Sequence, residues 1–300
     1  MPHIRFNGAS VFDYNFLMSL DEKDYPKYLC EAYYSKTLTK LNLKNPKTFN
    51  EKIQWLKIYD NKPEKSKLTD KVLVRDWVKE KIGEQYLKPV LWIGNKFEDI
   101  PFESLPNSFV IKCNHGCKWH FIVKDKNALL ENKSLYLTIK NRIEGWLSQS
   151  FFGWSDFETQ YKNIVPQIII EKLLRSENSD KARMEIKNCC FNGIPYYNQL
   201  TSYIPEQYQD IFDINLNKVN ITFEPRLYPP SEKKADKLVE KSIELSKILA
   251  KNQKFVRVDW MIYDNKLYFE EMTFTPFSGF INIGNDLQIK LGNLLNLKGN

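Results

Sequence analysis

One run of alternating residues near the carboxyl end of the chain decides the fold: residues 255–276 read FVRVDWMIYDNKLYFEEMTFTP. Residues 255–263 and 267–274 have the apolar, aromatic and β-branched content that is typical of strands. The Asp-Asn-Lys sequence at 264–266 separates them, and Asn265 tolerates the left-handed conformation that hairpin loops require. The stretch therefore predicts an antiparallel β-hairpin.

The register of this hairpin brings acidic residues together on one face. With a three-residue loop, Asp259 pairs with Glu271, and the same register pairs Arg257 with Thr273. With a two-residue loop, Glu270 takes the place opposite Asp259. Like charges placed directly opposite cost up to about 1 kcal/mol. Either a bound Mg²⁺ or the neighbouring Arg257 offsets that cost, and the spacing alone leaves both interpretations open.

Periodicity predicts further strands upstream of this hairpin. Alternation of apolar and polar residues predicts strands over 109–115 and 119–124. An apolar run broken only by single polar residues predicts a buried strand over 164–174. Two more strands, 184–191 and 194–200, flank Asn192 and Gly193. An Asn-Gly pair between two such runs is a strong signal for a two-residue hairpin turn.

Helical patterns dominate the first hundred residues and recur near the end of the chain. Thr48 and Glu51 have the spacing of a capping box, so we expect a helix to begin there. Further helices are predicted over 64–82, 231–251 and 286–295, and Gly83 is the expected stop of the first of these. Strands, helices and hairpins in this order favour an α+β architecture over a uniform series of βαβ units.

Composition and charge narrow the class of protein. The chain has 300 residues, of which 42% are hydrophobic and 27% charged, which is typical of a globular protein and excludes a fibrous or disordered chain. The formal net charge of +7 comes from 44 Lys and Arg against 37 Asp and Glu. No basic block occurs, so the sequence does not indicate a dedicated nucleic-acid surface.

Neither a membrane span nor a secretion signal is recognisable in the sequence. No stretch approaches the ~18 consecutive apolar residues of a spanning helix, and Asp13 interrupts the apolar run near the start. Five cysteines are an odd number, and Cys189 and Cys190 are adjacent in a predicted strand. Both features favour free thiols in a reducing compartment. We therefore expect a soluble, cytoplasmic protein.

Several segments, taken together, resemble the TupA-like ATP-grasp family. FVRVD at 255–259 and YFEEMTFTP at 268–276 match its carboxyl-terminal signature, and FVIKCNHG at 109–116 matches an upstream motif. Further matches are PKTFNEKIQWLKIYD, KLTDKVLVRDWVKE, IIIEKL and KNCCFNG, which begin at residues 46, 67, 168 and 187. The motifs occur in the order of the family. That family is associated with the assembly of bacterial cell-surface polysaccharides.

The resemblance implies a magnesium site on the hairpin. In ATP-grasp proteins an Asp and a Glu on neighbouring strands bind one or two Mg²⁺, and Asp259 and Glu271 match these positions. Thr273 stands where an Asn often supplies a third ligand in the wider superfamily, and its hydroxyl is a weaker oxygen ligand. Arg257 shares their face, where it either pairs with an anionic substrate or the γ-phosphate, or merely balances the acids.

The resemblance also implies a site for ATP. Lys112 matches the strand lysine that contacts the ATP phosphates, and Lys187 matches a second phosphate lysine. Glu171, Lys172 and Leu173 match the connection between the lobes that receives adenine and ribose. The family also has a pattern on a helix, which matches Asp70, Lys71 and Arg75. Arg75 either reaches the cleft or satisfies helix carbonyls.

Asn114, His115 and Gly116 match the flexible loop that covers the phosphates. The family often continues with Ser and Gly, whereas this chain has Cys117 and Lys118, and the loss of a glycine stiffens the loop. The lysine would add positive charge near the phosphates.

Zinc is an alternative occupant of this segment. Cys113, His115, Cys117 and His120 are zinc-type ligands. Structural zinc sites, however, combine such a group with a second, distant Cys or His pair, and none with suitable spacing follows. Zinc is therefore the weaker hypothesis for these residues.

The predicted architecture is an ATP-grasp fold of the α+β class, with two lobes that sandwich ATP. We expect a mainly helical amino-terminal lobe over residues 1–105. A small subdomain with the phosphate loop follows over 106–175, and a carboxyl-terminal subdomain with the metal site over 176–300.

The activity that the resemblance implies is that of an ATP-dependent carboxylate–amine ligase acting through an acyl phosphate. Its substrates would be the carboxylate of an acidic sugar or related glycan and an amine, in capsule or surface-polysaccharide assembly, with at most a loose association with machinery at the membrane. Two alternatives stay open: a kinase acting on a hydroxyl or amide, and a non-catalytic nucleotide- or glycan-binding module. The chain shows no Ser-His-Asp arrangement, and a ligase of this type needs none.

Overall fold

The structure is a computed structural model that describes residues 10–174, 183–204, 206–221 and 228–298. The helices of this part of the chain are α1 (Tyr14–Ser19), α2 (Tyr25–Thr37), α3 (Phe49–Tyr59), α4 (Pro63–Thr69), α5 (Val74–Ile82), α6 (Lys126–Glu131), α7 (Lys133–Leu147), α8 (Lys237–Leu249) and α9 (Asn285–Leu294). The strands are β1 (Val90–Gly94), β2 (Phe109–Cys113), β3 (His120–Val123), β4 (Ile168–Lys172), β5 (Arg183–Phe191), β6 (Ile194–Ile204), β7 (Tyr208–Asp213), β8 (Phe255–Tyr263) and β9 (Lys266–Thr273).

Two antiparallel sheets form the framework, and the predicted α+β class is confirmed. The four-stranded sheet has the order β1-β4-β2-β3, and the five-stranded sheet has the order β7-β6-β5-β8-β9. The sequence did not predict β1, which precedes the predicted small subdomain but pairs with β4 of that segment. The three-part division of the chain stays a prediction, and its boundary at residues 175–176 lies outside the described residues.

Helices cover one face of each sheet. In the four-stranded sheet, Ile139 and Ile143 of α7 pack in the same core as Phe109 and Ile111 of β2. In the five-stranded sheet, α5 and α8 lie over β5 and β8, where the indole N–H of Trp260 donates to the hydroxyl of Ser246 on α8 at 2.8 Å. Because side chains alternate along a strand, the charged residues of β8 lie on the opposite face of the five-stranded sheet, part of which packs against α3 and α9.

The predicted capping box is present at the start of α3. The Thr48 hydroxyl accepts a hydrogen bond from the Glu51 backbone N–H at 3.2 Å, and Glu51 Oε2 accepts one from the Thr48 N–H at 2.9 Å. These bonds satisfy donors that the first helical turn leaves unpaired. Phe49 and Ile53 then pack in one core with Phe255 of β8, which joins this helix to the five-stranded sheet.

The predicted helix over 64–82 is wrong as one continuous element, because it breaks at Asp70 into α4 and α5. Asp70 Oδ1 accepts hydrogen bonds from the N–H groups of Val72 and Leu73 at 2.8 and 3.3 Å, as a capping side chain does. The Lys71 N–H instead donates to the Asn114 carbonyl at 3.2 Å. A contact with a distant segment therefore competes with helix continuation. Gly83 ends α5, as predicted.

The hairpin between β5 and β6 has the predicted two-residue turn. Asn192 and Gly193 both have positive φ, 50° and 79°, as the favoured hairpin turns require. The strand that follows is longer than predicted, because β6 continues to Ile204 and pairs with β7, which the sequence did not predict.

The turn between β8 and β9 also has two residues, so the predicted three-residue loop is wrong. Asp264 and Asn265 have φ of 49° and 58°, and Tyr263 pairs with Lys266. This is the register that would place Glu270 opposite Asp259 if it continued.

A β-bulge in β9 changes that register before the acidic residues are reached. Trp260 pairs with Phe269, but Asp259 pairs with Glu271, so Glu270 is the extra residue. Beyond the bulge Arg257 pairs with Thr273. Each of the two predicted registers therefore holds on one side of the bulge.

The remaining predicted elements differ mainly in their ends. The helix expected from residue 231 begins at Lys237, because the Asp236 carboxylate accepts hydrogen bonds from the N–H groups of Leu238 and Val239 and caps it there. The strand expected over 164–174 is limited to β4. No helix among the described residues combines the length and apolar content needed to cross a membrane.

Candidate active site between the two sheets

The acidic pair on the second hairpin is held by an arginine. Asp259 and Glu271 are cross-strand partners on the same face of the five-stranded sheet. Arg257 donates to both carboxylate oxygens of Asp259, at 2.7 Å from Nε and 2.6 Å from a terminal nitrogen, and lies 3.9 Å from Glu271. The Thr273 hydroxyl donates to Glu271 Oε1 at 3.1 Å. The four side chains predicted for this hairpin therefore converge.

The two carboxylates of this pair have opposite electrostatic environments. Asp259 is only 3% exposed, and burial raises its pKa to about 6 even though Arg257 stabilises the charged form. Burial also opposes ionisation of Glu271, but Lys71, Arg257 and Thr273 together hold its pKa below the ordinary value. Glu271 therefore stays ionised near pH 6, whereas Asp259 titrates there, and Arg257 adds a positive charge to the same face.

Lys187 lies on the strand next to this pair. It is the cross-strand partner of Asp259 in the ladder between β5 and β8. Its Nζ lies 2.8 Å from Glu185 Oε2, on the same face of β5. The position is compatible with the predicted second phosphate contact, and the pairing with Glu185 was not predicted.

Lys112 and Glu171 lie on neighbouring strands of the four-stranded sheet and form an ion pair of 2.8 Å. Burial opposes the charged form of Glu171, but Lys112 and Lys88 lower its pKa to about 2. The two carboxylates near Lys112, Glu270 and Glu171, raise the pKa of the lysine despite its burial. Lys112, the predicted phosphate contact, and Glu171, in the predicted ribose-binding segment, therefore belong to one cluster.

One member of this cluster, Lys88, was missed from the sequence, and so was the contact that Glu270 makes with it. Lys88 Nζ contacts both oxygens of Glu270, with Oε1 at 2.5 Å, and lies 3.6 Å from Glu171. Arg75 donates to the Lys88 carbonyl at 2.8 Å and lies 3.5 Å from Glu171, so this arginine of the family pattern does reach the cleft. Lys88 and Glu270 are 182 residues apart, and no local pattern marks either of them.

Glu270 also connects the two sheets. It belongs to β9 of the five-stranded sheet, and its Oε2 lies 3.7 Å from Nζ of Lys112 in the four-stranded sheet. The bulge in β9 makes this possible, because it inserts Glu270 immediately before Glu271. The bulge therefore brings the acidic residues of β9 close to Lys112 on the other sheet.

The predicted phosphate loop uses its side chains for internal contacts. Asn114 is buried, and its amide bonds the Val165 carbonyl and the Gln167 N–H at 2.9 and 2.7 Å. His115 is buried as well, with Nε2 2.9 Å from the Trp146 carbonyl. The side chains of Asn114 and His115 are therefore engaged inside the protein, whereas those of Cys117 and Lys118 are exposed. The Gly116 carbonyl accepts from Lys71 at 2.7 Å.

The predicted adenine-binding connection ends β4. The Lys172 N–H donates to the Pro89 carbonyl at 2.9 Å, and the Lys172 side chain is exposed. Leu173 is half-buried and follows directly. The structure thus places both beside Glu171, at the edge where the two sheets approach each other.

A strained loop directly follows the hairpin and was not predicted. Phe277 and Ser278 both have φ of 52°, in the left-handed region that costs energy for residues other than glycine. The fully buried Lys57 holds the loop, since its Nζ donates to the carbonyls of Ser278 and Asp156 at 2.8 and 2.6 Å. Burial lowers the pKa of this lysine to about 8. Such strain is often found near functional sites.

The zinc alternative gains no support. Both ring nitrogens of His115 already have hydrogen-bond partners, the Asn114 side chain and the Trp146 carbonyl. Cys113 lies in the hydrophobic core of the four-stranded sheet. Across the described residues no three His, Cys, Asp or Glu side chains are arranged to hold a metal ion.

The donor set on the hairpin nevertheless fits a hard divalent cation. Asp259 and Glu271 present two opposed carboxylates, and Thr273 adds a hydroxyl beside Glu271. Mg²⁺ is commonly bound through one or two carboxylates and completes its shell with water and substrate phosphates. A cation there would offset the cost of burying a charged Asp259.

Comparison with known proteins gives a family match. A family model described as TupA-like ATPgrasp matches residues 51–295, whereas a comparison with curated protein sequences gives no match. Among solved structures, D-alanine–D-alanine ligase from Bacillus anthracis has 18% identity and a TM-score of 0.39, and the match covers 76% of this chain and 65% of that one.

Two further solved structures are similarly distant. The D-alanine–D-alanine ligase from Helicobacter pylori has 13% identity and a TM-score of 0.41, with 76% of this chain and 61% of that chain covered. The ATP-grasp ligase PsnB, complexed with minimal precursor, Mg and ADP, has 12% identity and a TM-score of 0.39, with 96% and 76% covered. The chain spans less than two thirds of the length of the D-alanine ligases that it matches.

Proposed function

This chain belongs to the TupA-like ATP-grasp family, and from that premise we propose that it is an ATP-dependent carboxylate–amine ligase. One observation supports this most directly. Asp259 and Glu271 face each other on the five-stranded sheet, and Glu270 beside them comes within 3.7 Å of Lys112 on the other sheet. Cation ligands and a phosphate contact on the two sides of one cleft suit a triphosphate.

The chain's own residues would bind the nucleotide from both sides. Lys112 and Lys187 each supply an ammonium to the phosphates, as point charges on rigid strands. The backbone at Lys172 and Leu173 would border the base, while Glu171 would accept from the ribose or stay paired with Lys112. We expect backbone groups of Asn114, His115 and Gly116 to lie over the phosphates.

Asp259, Glu271 and Thr273 would hold Mg²⁺, which when bound neutralises charge that develops on the phosphate oxygens. Arg257 already neutralises Asp259 in a bidentate pair. Asp259 can bind a cation and Arg257 together, because each carboxylate oxygen has more than one lone pair. The guanidinium would keep donors for an anionic substrate, since it has five N–H groups and the pair with Asp259 uses two of them.

The reaction would proceed in two balanced steps. The substrate carboxylate attacks the γ-phosphorus of ATP, and the bond to the β-phosphate oxygen breaks to release ADP. The resulting acyl phosphate is then attacked by an amine, which loses a proton as the amide forms and phosphate leaves. Positioning and electrostatics carry such a reaction, so the chain needs no nucleophilic side chain.

The substrate class rests on the family resemblance alone. We propose a uronic acid or another acidic sugar as the carboxylate, a small amine or amino acid as its partner, and a cytoplasmic role in the assembly of capsule or related surface polysaccharide. Arg257 suits a carboxylate, because a guanidinium can bind two oxygens at once.

The products distinguish a ligase from a kinase. The protein is incubated with Mg·ATP, a panel of uronic acids and a panel of amino acids, and the products are identified by mass spectrometry. An amide product, or a hydroxamate when hydroxylamine replaces the amine, supports the ligase. A stable phosphorylated product on a hydroxyl or amide acceptor contradicts it and favours the kinase alternative.

Nucleotide turnover distinguishes an enzyme from a binding module. Release of ADP that depends on the acceptor supports an enzyme, and Glu271→Gln should abolish it while leaving the fold intact. Stabilisation of the protein by Mg·ATP without any release would favour the non-catalytic module. Unchanged turnover in Glu271→Gln would contradict the assignment of the cation site.

A further inference from the structure

Glu270 pairs with the same ammonium groups that a nucleotide phosphate would use. The bulge gives it no partner in the ladder between β8 and β9. Its carboxylate instead contacts Lys88 through both oxygens, with Oε1 at 2.5 Å, and its Oε2 lies 3.7 Å from Lys112. Lys112 is the lysine proposed above to bind the ATP phosphates. A carboxylate of the protein thus lies where the substrate's anionic group would bind.

The two carboxylates of this cluster differ in how firmly they are held. The Glu171 side chain is 8% exposed and contacts Lys112, Lys88 and Arg75. Glu270 is 25% exposed and reaches the cluster from the opposite sheet. Glu270 is therefore the carboxylate that can leave with little rearrangement of the four-stranded sheet.

A solvent-facing cavity adjoins one side of the cluster. Arg75 and Lys88 also line a cavity of about 320 Å³ together with Asp76, Lys79, Glu84 and Leu87. The cluster has three cations, Arg75, Lys88 and Lys112, against the two carboxylates, so its formal charge is only +1 while Glu270 is in place. Without Glu270 the cluster would be +2, which favours a polyanion.

We propose that Glu270 is a built-in competitor of ATP: it pairs with Lys88 and Lys112 in the nucleotide-free protein and is exchanged for the nucleotide phosphates. Glu270 then sets the affinity for ATP and takes no part in the chemical step. Lys88 is a further phosphate-binding residue, in addition to Lys112 and Lys187, that becomes available on exchange. This inference rests on the proposed nucleotide-binding function and adds a determinant of affinity to it.

Substitution of the competing carboxylate gives a direct test. Glu270→Gln keeps the size of the side chain and removes its charge, so phosphates no longer have to displace a strong ion pair. We expect Mg·AMP-PNP to bind about tenfold more tightly, a gain of about 1.4 kcal/mol in binding free energy, because the phosphates no longer compete with a charged carboxylate. The affinity for ADP should rise less, and the affinity for adenosine, which has no phosphate, should not change.

The binding constants are measured by calorimetry on the full chain, with Glu244→Gln as the matched control. Glu244 pairs with Lys241 on the exposed face of α8, so this variant removes the same charge away from the cleft. It should bind all three ligands as the wild type does. In turnover with Mg·ATP, Glu270→Gln should lower KM and leave kcat unchanged.

Glu270→Asp keeps the charge on a shorter side chain and should give an intermediate affinity for Mg·AMP-PNP. If Glu270→Gln does not fold, the affinity of Glu270→Asp for Mg·AMP-PNP is compared with that of the wild type instead. Equal or weaker binding of Mg·AMP-PNP by Glu270→Gln overturns the proposal. Equal binding would mean that the carboxylate has no effect on nucleotide affinity, and weaker binding would mean that it contributes to nucleotide binding. If adenosine gains as much as Mg·AMP-PNP, competition for phosphates is also refuted. If the wild type itself does not bind Mg·AMP-PNP, the proposed nucleotide-binding function is refuted, whatever the effect of Glu270→Gln.

Discussion

Arg257 holds Asp259 through two parallel hydrogen bonds, with Nε 2.7 Å from Oδ1 and a terminal nitrogen 2.6 Å from Oδ2. Both groups lie on β8, two residues apart, and Asp259 is almost fully buried. A buried pair of this kind contributes modestly as a whole, but removing one partner leaves the other uncompensated. The arginine is therefore needed to keep a charged aspartate in the position where a cation would bind.

Removal of this arginine should destabilise the protein in a pH-dependent way. Arg257→Met should lower the free energy of unfolding by about 3 kcal/mol at pH 8, because Asp259 is then buried without a partner. At pH 5 the loss should be smaller. The folded variant keeps a proton on Asp259 there, whereas the unfolded chain has lost it, so stability falls as pH rises.

Urea unfolding at the two pH values measures this difference. Arg257→Lys is the control, since it keeps a positive charge but only a single point of contact. A loss for Arg257→Met that is the same at both pH values would contradict the coupling between the two residues.

Binding of magnesium nucleotide should weaken in mild acid. Burial raises the pKa of Asp259 to about 6, and a protonated carboxyl is a poor ligand for Mg²⁺. Affinity for Mg·AMP-PNP should therefore fall by up to about tenfold per pH unit below pH 6. Calorimetry between pH 5 and pH 7.5 tests this. Asp259→Asn should bind weakly throughout, with a flatter profile, and a profile as steep as that of the wild type would argue against Asp259.

Lys112 should contribute strongly to nucleotide affinity. Lys112→Met removes a charged donor at the phosphates, which corresponds to a loss of about 10- to 100-fold in affinity for Mg·AMP-PNP. Lys241→Met, on the exposed face of α8, is the matched control and should change nothing. Calorimetry on both variants measures the effect. Equal affinities would show that the strand lysine is only the partner of Glu171.

The capping box of α3 should matter for stability and not for binding. Thr48→Ala removes the hydroxyl that accepts the Glu51 N–H bond and should cost about 1 kcal/mol of unfolding free energy. Urea unfolding measures the loss, and the affinity for Mg·AMP-PNP should be unchanged. A change in affinity without a change in stability would mean that the start of α3 contributes to the site.

The sequence predicts those parts of the site that depend on local pattern. Alternation places Arg257, Asp259, Glu271 and Thr273 on one face, and the structure agrees. The bulge could not be predicted, because an inserted residue leaves the alternation on both sides intact. Two competing registers were the only sign of it, and each is correct on its own side of Glu270.

The missed parts depend on contacts between distant residues. Helix propensity predicts one helix over 64–82, but the Lys71 N–H bonds to the Asn114 carbonyl, and tertiary contact overrides propensity. Lys88 has no distinguishing neighbours in sequence, and its role is visible only because Glu270 comes from the other sheet. The loop side chains of Asn114 and His115 likewise find buried partners that no spacing rule predicts.

A crystal structure of the protein with Mg²⁺ and AMP-PNP measures the geometry on which the proposed function depends. The expected result is an octahedral ion that bridges carboxylate oxygens of Asp259 and Glu271 to phosphate oxygens, at about 2.0–2.1 Å from each ligand atom. Nucleotide bound with its phosphates remote from this hairpin, or an ion held by neither carboxylate, would contradict it.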